Sequence, residues 1–232
     1  MPQARARRRG RAKRAGRLGV IATVAMMPAS VGAACAEPIS LDGWTHQKFG
    51  LFGDNVWHQS AGRISVESDD SVSLLWRAVP DGLRTASSAS WTWSVQEGVP
   101  PTNLSQKGGD DRNLSLYFIF APAEVAARLG DLGIRGLLEQ PDIRVLMYVW
   151  GGLHRPGSLV PSPYLGARGV TIVLRREESG QYAERVNLRS DLERAFGRSD
   201  LSLIGLALSA DSDDTNSRIR AGITDLGVSD SP

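Results

Sequence analysis

From residue 63 onward the chain is written in short apolar runs separated by clusters of Gly, Pro, Asp, Asn and Ser. Inside several runs the apolar positions recur every second residue, as expected of a strand with one buried face. Leu114, Leu116, Phe118 and Phe120 share one face of one run, and Val170, Ile172 and Leu174 share one face of another. The pattern predicts nine strands: Arg63–Glu67, Val72–Val79, Ser90–Val95, Leu114–Phe120, Ile143–Trp150, Gly169–Leu174, Tyr182–Leu188, Leu201–Ala210 and Ile219–Leu226. Leu201–Ala210 is apolar on both faces, so it is expected at the centre of a sheet. Two short helices are expected. Pro122–Leu129 starts on a proline suited to a first helical position and stops at Gly130. Arg189–Phe196 has Ser190 as its expected N-cap, Glu193 three residues later and Gly197 beyond its end. Many short strands between turn signals point to an all-β sandwich.

Composition changes this picture mainly at the N-terminus. Of the 232 residues, 41% are hydrophobic and 22% charged, enough to build a core. The formal charge of +2 conceals an asymmetry. Eight of the 27 basic residues lie among the first 17, with no acid among them, and the uncharged stretch Leu18–Ala36 follows, ending in Ala34-Cys35-Ala36. Basic, apolar and small-residue regions in that order read as a secretory signal peptide, residues 1–36, leaving one domain over residues 37–232. The apolar part is too short and interrupted to span a bilayer. Cleavage leaves 19 basic residues against 25 acidic, a net of −6. Such an acidic domain is a poor partner for nucleic acid or an anionic membrane surface. Cys35 is the only cysteine. It departs with the signal peptide, or serves as a lipid acceptor if Gly32–Cys35 acts as a lipobox. No disulfide is then open to the mature domain. The expected location is the periplasm or the cell exterior.

Two acidic loops and a set of aromatics are the candidate chemistry. Asp211-Ser212-Asp213-Asp214-Thr215-Asn216 follows the central strand, and its alternating carboxylates and amide oxygen form the hard-oxygen set that Ca²⁺ takes. The same residues suit an Asx-rich turn whose side chains cap backbone N–H groups. Lys107-Gly108-Gly109-Asp110-Asp111 precedes another strand and could join the first loop in space, or be a solvated hairpin. The candidate metal ligands are therefore Asp110, Asp111, Asp211, Asp213 and Asn216. Trp91 and Trp93 share a strand face and are expected in the core. Tyr148 and Trp150 share a face beside Gly151-Gly152 and are expected, with His154 and Tyr164, to line a ligand cleft. There is no G-x-S-x-G elbow, no H-E-x-x-H and no cysteine nucleophile in the mature chain, so no catalytic residue is assigned.

Six short segments, in order, resemble a bacterial family known as domain of unknown function 3047. They are Ala89–Val95 (ASWTWSV), Lys107–Asp111 followed by Leu116-Tyr117-Phe118, Leu146–Trp150 (LMYVW), Ser162-Pro163-Tyr164, Leu192–Gly197 (LERAFG) and Ala210–Asn216 (ADSDDTN). The chain departs from the family pattern at Met147 and Ser162, where the pattern has asparagine. It also lacks a tryptophan near Arg220–Gly222. The resemblance implies a secreted, jelly-roll-like β-sandwich similar in outline to carbohydrate-binding modules. The expected fold is thus all-β: a two-sheet antiparallel sandwich, jelly-roll-like, with one or two short helices. The expected function is a non-catalytic binding module for a glycan or another cell-envelope ligand, with a structural calcium site. The alternatives are a polysaccharide lyase or glycoside hydrolase using the same cleft, and a structural envelope protein acting through protein contacts.

Overall fold

The computed structural model describes residues 36–49, 53–129, 132–176 and 179–230. Cys35 and the rest of the expected signal peptide up to it lie outside them. In chain order the strands are β1 Glu37–Pro38, β2 Thr45–Lys48, β3 Val56–Ser60, β4 Arg63–Asp69, β5 Val72–Ala78, β6 Ser88–Glu97, β7 Arg112–Ala121, β8 Arg144–Trp150, β9 Leu159–Ser162, β10 Gly166–Arg175, β11 Gly180–Asn187, β12 Ser202–Asp211 and β13 Arg218–Ser229. The helices are α1 Ala123–Ala126, α2 Ile134–Glu139 and α3 Leu188–Phe196. All nine expected strands form, with ends moved by up to three residues. The strands not expected are β1, β2, β3 and β9. They are short edge segments such as Thr-His-Gln-Lys, whose polar side chains hide the alternation.

The strands build two sheets. The six-stranded sheet runs β11-β6-β13-β4-β3, with β1 paired to β13. The seven-stranded sheet runs β2-β5-β12-β7-β8-β10-β9. β12 sits inside the larger sheet between β5 and β7, as its two apolar faces require. Pairing is antiparallel except between β8 and β10, which run parallel.

Helix α2 is not expected from the sequence, and two further helix details differ from expectation. The N-cap of α3 is Asn187, whose side chain accepts from the Ser190 N–H at 2.8 Å; Ser190 itself lies inside the helix. Pro122 caps α1 from outside the helix. Gly197 does end α3 in the left-handed region, at φ 67°.

Alternation divides the apolar residues of the larger sheet between two clusters. Leu114, Leu116, Phe118 and Phe120 of β7, with Leu146, Tyr148 and Trp150 of β8, pack into the space between the sheets. There they meet Trp91 and Trp93 from β6. Trp93 meets Trp150 edge-on at 5.6 Å, and Trp91 lies tilted against Tyr148 at 5.6 Å. The intervening residues face the other way. Ile119, Val145, Met147, Val149 and Ala207 form a second cluster on the outer face of the larger sheet, joined by Ile134 and Leu137 of α2. This outer cluster makes the second face of the sheet available for a site.

The core aromatics give a direct test. Trp150 is fully buried, so Trp150→Ala should cost about 3–5 kcal/mol in denaturant unfolding. A loss below about 1 kcal/mol would place Trp150 outside the core.

Candidate functional site

A cleft of about 530 Å³ opens on the outer face of the seven-stranded sheet. Its floor carries Leu74, Ile119, Met147 and Ala207, and α2 and the segment 162–165 supply walls. Polar groups gather at one end, where the 107–112 loop meets the end of β12.

Arg112, at the start of β7, organises that end. Its side chain is largely buried, so each N–H needs an acceptor. Nε donates to Ser115 Oγ at 2.8 Å. Nη1 donates to the Asp110 carbonyl and to Asp110 Oδ2, both at 2.8 Å, and pairs with Asp211 Oδ2 at 2.9 Å. Nη2 donates to Tyr117 Oη at 3.2 Å, and that hydroxyl bonds Ser209 at 3.0 Å. Burial works against the charge on Arg112, but Tyr117, Asp211 and Asp110 outweigh it and hold the guanidinium above its ordinary range. Gly151 lets Arg112 pack close to the end of β8, and Gly152 does the same for Leu104. A Cβ on Gly152, at φ 85°, would lie 2.5 Å from Leu104.

Tyr164 reaches the same cluster from the loop after β9. Its hydroxyl donates to Asp110 Oδ1 at 3.0 Å while its ring stays exposed, with Lys107 Nζ 5.4 Å from the ring centre. Burial of the hydroxyl, and then the Asp110 carboxylate, push the Tyr164 pKa up to about 12.

The two acidic loops do come together. Asp111 is fully buried, and its carboxylate accepts from the Asp214 N–H at 3.3 Å, the Thr215 N–H at 2.8 Å and the Thr215 hydroxyl. Asp111 therefore caps the turn after β12. Asp111, Asp213 and Asp214 also each place a carboxylate oxygen within 4.8 Å of the others, a set that could hold a metal ion. Three expected ligands lie outside that set, Asp211 among them because its Oδ2 pairs with Arg112. Asp110 is committed to Arg112 and Tyr164. The Asn216 amide points at the Asp70 carboxylate, 3.2 Å away.

Asp211 is the most perturbed acid of the site. Its Oδ2 pairs with Arg112, and its buried Oδ1 has no hydrogen-bond donor. Burial pushes its pKa to about 8 against the pull of Arg112, and the adjacent Asp213 and Asp111 add to the rise. Burial and the carboxylates of Asp111 and Asp213 also raise Asp214.

Three of the four expected ligand-binding residues lie outside the cleft. Trp150 and Tyr148 are fully buried between the sheets, and the Tyr148 hydroxyl donates to Asp191 at 2.7 Å. They do share a face, but it is the inward one; Met147 and Val149 occupy the outward face. His154 is half-buried in the loop after β8 and does not line the cleft. Tyr164 alone stands where expected. Arg112, Tyr117 and Asp214 were not singled out. The available signal for Arg112 was a lone cation directly after two adjacent acids, at the head of a strongly apolar strand.

Two measurements test this electrostatic arrangement. Arg112→Met leaves Asp110 and Asp211 buried without their cation, so unfolding at pH 8 should show a loss of about 3–5 kcal/mol. An effect under about 1 kcal/mol would show that the pairing is dispensable. Asp211 keeps its proton to about pH 8 in the fold, whereas the unfolded chain releases it near 3.8. The folded state thus binds more protons between these values, and stability should fall as pH rises through that window. Asp211→Asn should make that fall shallower; an unchanged slope would assign it to other groups.

A search of curated proteins found no match. Among solved structures, the chain is similar to one described as the xyloglucanase domain of NopAA, a type three effector from Sinorhizobium fredii in complex with cellobiose. That match has 11% identity and a TM-score of 0.45, and covers 84% of this chain and 95% of that one. A cellulase derived from Cel12A of Rhodothermus marinus matches at 12% identity and a TM-score of 0.41, over 80% of this chain and 95% of that one. A native family 12 xyloglucanase from Bacillus licheniformis matches at 9% identity and a TM-score of 0.36, over 84% of this chain and 99% of that one. The residues of the cleft, not these likenesses, carry the functional reading. The family profile described as "Protein of unknown function (DUF3047)" matches residues 42–227, and the chain belongs to that family.

Proposed function

We propose that the protein is an exported binding module, periplasmic or extracellular, that takes a glycan or related cell-envelope ligand in the outer cleft, with Ca²⁺ on the adjoining acidic loops. The observation that carries this reading is the cleft itself. It combines an apolar floor with a small convergent set of fixed polar groups, Asp110, Arg112, Tyr117, Tyr164 and Asp211. Binding sites commonly join an apolar surface to a few placed polar groups in this way. The polar groups are held by one another before any ligand arrives, so little ordering is left for the binding step. Asp111, Asp213 and Asp214 supply three hard oxygens for Ca²⁺, with backbone carbonyls and water to complete its shell. The signal-peptide pattern supports export, and among the described residues no helix is long and apolar enough to cross a membrane.

A hydrolase reading is favoured by one observation. Asp211 lines the cleft and retains a proton at neutral pH, as a general acid must.

Thermal unfolding in EDTA and then in Ca²⁺, combined with polysaccharide retention assays, tests the proposal. A ligand that binds only the native state adds RT ln(1 + [L]/Kd), about 2.7 kcal/mol at a hundredfold excess. Ca²⁺ should raise Tm, more at pH 8 than at pH 5 because protons compete for the carboxylates. Asp213→Asn/Asp214→Asn should abolish the rise. Immobilised glycan should retain the protein without release of reducing ends. No calcium shift would reduce the acidic loop to a turn. Absence of retention on every glycan would contradict the binding reading, and release of reducing ends lost in Asp211→Asn would establish the hydrolase instead.

A further inference from the structure

The cleft is chemically divided, and the division narrows what fits. Along its floor and walls, Leu74, Ile119, Met147, Leu138, Leu165 and Leu104 present hydrocarbon. A free oligosaccharide laid over this stretch would bury hydroxyls against groups that neither donate nor accept, an unfavourable exchange for water. Among the described residues no tryptophan, the broadest platform for a sugar ring, lines the cleft; Trp91, Trp93 and Trp150 are all committed to the core. An alkyl chain gains from the same surface by leaving water.

The polar end is equally selective. Five carboxylates, Asp110, Asp111, Asp211, Asp213 and Asp214, stand there against Arg112 and Lys107. Arg112 has nitrogen donors turned to Asp110, Ser115, Tyr117 and Asp211, so it has little left for an incoming anion. Asp211 lines the cleft with its Oδ2 already taken by Arg112, so Asp213 and Asp214 are the cleft-lining carboxyl groups left to accept from a ligand. That end suits a group that donates hydrogen bonds and carries no negative charge.

We infer that the ligand is an amphiphile: an alkyl or acyl chain on the apolar floor, joined to a neutral, hydroxyl-bearing head at the Asp110–Arg112–Asp211 end. A glycolipid has this chemistry. The inference rests on the binding reading above and narrows its ligand class from glycan to glycan-bearing lipid. Charge complementarity selects the head in the calcium-free site: there a sulfate or phosphate head would meet more carboxyl groups than cations, whereas sugar hydroxyls donate to them.

Isothermal titration calorimetry on the full chain in EDTA tests this, using n-octyl β-maltoside, maltose and octyl sulfate, each below its micelle-forming concentration. Octyl maltoside should bind at least tenfold more tightly than maltose and at least tenfold more tightly than octyl sulfate. Leu138→Asp and Leu165→Asp, both at half-buried positions on the cleft wall, should each weaken octyl maltoside at least tenfold, with Tm measured to show that the variants are folded. Equal affinity for maltose and octyl maltoside would overturn the amphiphile while leaving glycan binding intact. Equal affinity for octyl sulfate would overturn the head-group assignment. Binding that survives both wall variants would place the alkyl chain elsewhere and overturn the inference. Absence of binding by either sugar, with immobilised glycans also failing to retain the protein, would remove the binding reading together with the inference.

Discussion

A guanidinium taken out of water is tolerable only where its N–H groups find acceptors, and one end of the cleft is built around that requirement at Arg112. Satisfying it draws together the 107–112 loop through Asp110, β7 through Ser115 and Tyr117, and the end of β12 through Asp211. Ser209 and Tyr164 extend the network by one hydrogen bond each. Two carboxylates share one nitrogen of Arg112, so neither receives its full charge. Burial pushes the Asp211 pKa up to about 8 against the pull of Arg112, and the neighbouring Asp213 adds to the rise. The local chemistry of the site thus follows from one pairing problem and the geometry that solves it.

The larger sheet makes room for that site because both of its faces are apolar. The inner face closes the sandwich through the Trp91, Trp93, Phe118, Tyr148 and Trp150 contacts. The outer face is only partly covered, by α2 and the segment after β9, and what remains is the cleft. Gly151 and Gly152 let the start of β7 and the chain at Leu104 pack against the end of β8, which sets Arg112 and its partners at the end of the apolar floor.

Much of the sandwich was legible from the sequence. Period-two alternation marked β7 and β10, and two-faced apolarity marked β12 as central. The short edge strands were hidden because polar edge segments carry no alternation. The direction of Tyr148 and Trp150 was hidden for a different reason: alternation says which residues share a face, but in a strand apolar on both faces it does not say which face is inward. Met147 looked like a departure from a family pattern, yet it lies on the cleft floor and its neighbours Leu146 and Tyr148 do not. The composition of the two acidic loops leaves open whether they meet or whether the 107–111 loop is a solvated hairpin; the fold brings them together. The division of labour within them was not legible, because Asp111 as cap, Asp110 as Arg112 partner and Asn216 beside Asp70 depend on the contacts made in the fold.

The central claim is that function resides on the outer face of the seven-stranded sheet. Methyl-resolved NMR during titration with a monomeric alkyl maltoside addresses it most directly, because the two faces carry different methyl groups. The account predicts shifts at Leu74, Ile119, Met147 and Ala207, with Leu116, Leu206 and Ile223 unmoved between the sheets. Shifts confined to the six-stranded sheet, or none at the four floor residues under saturating ligand, would contradict it.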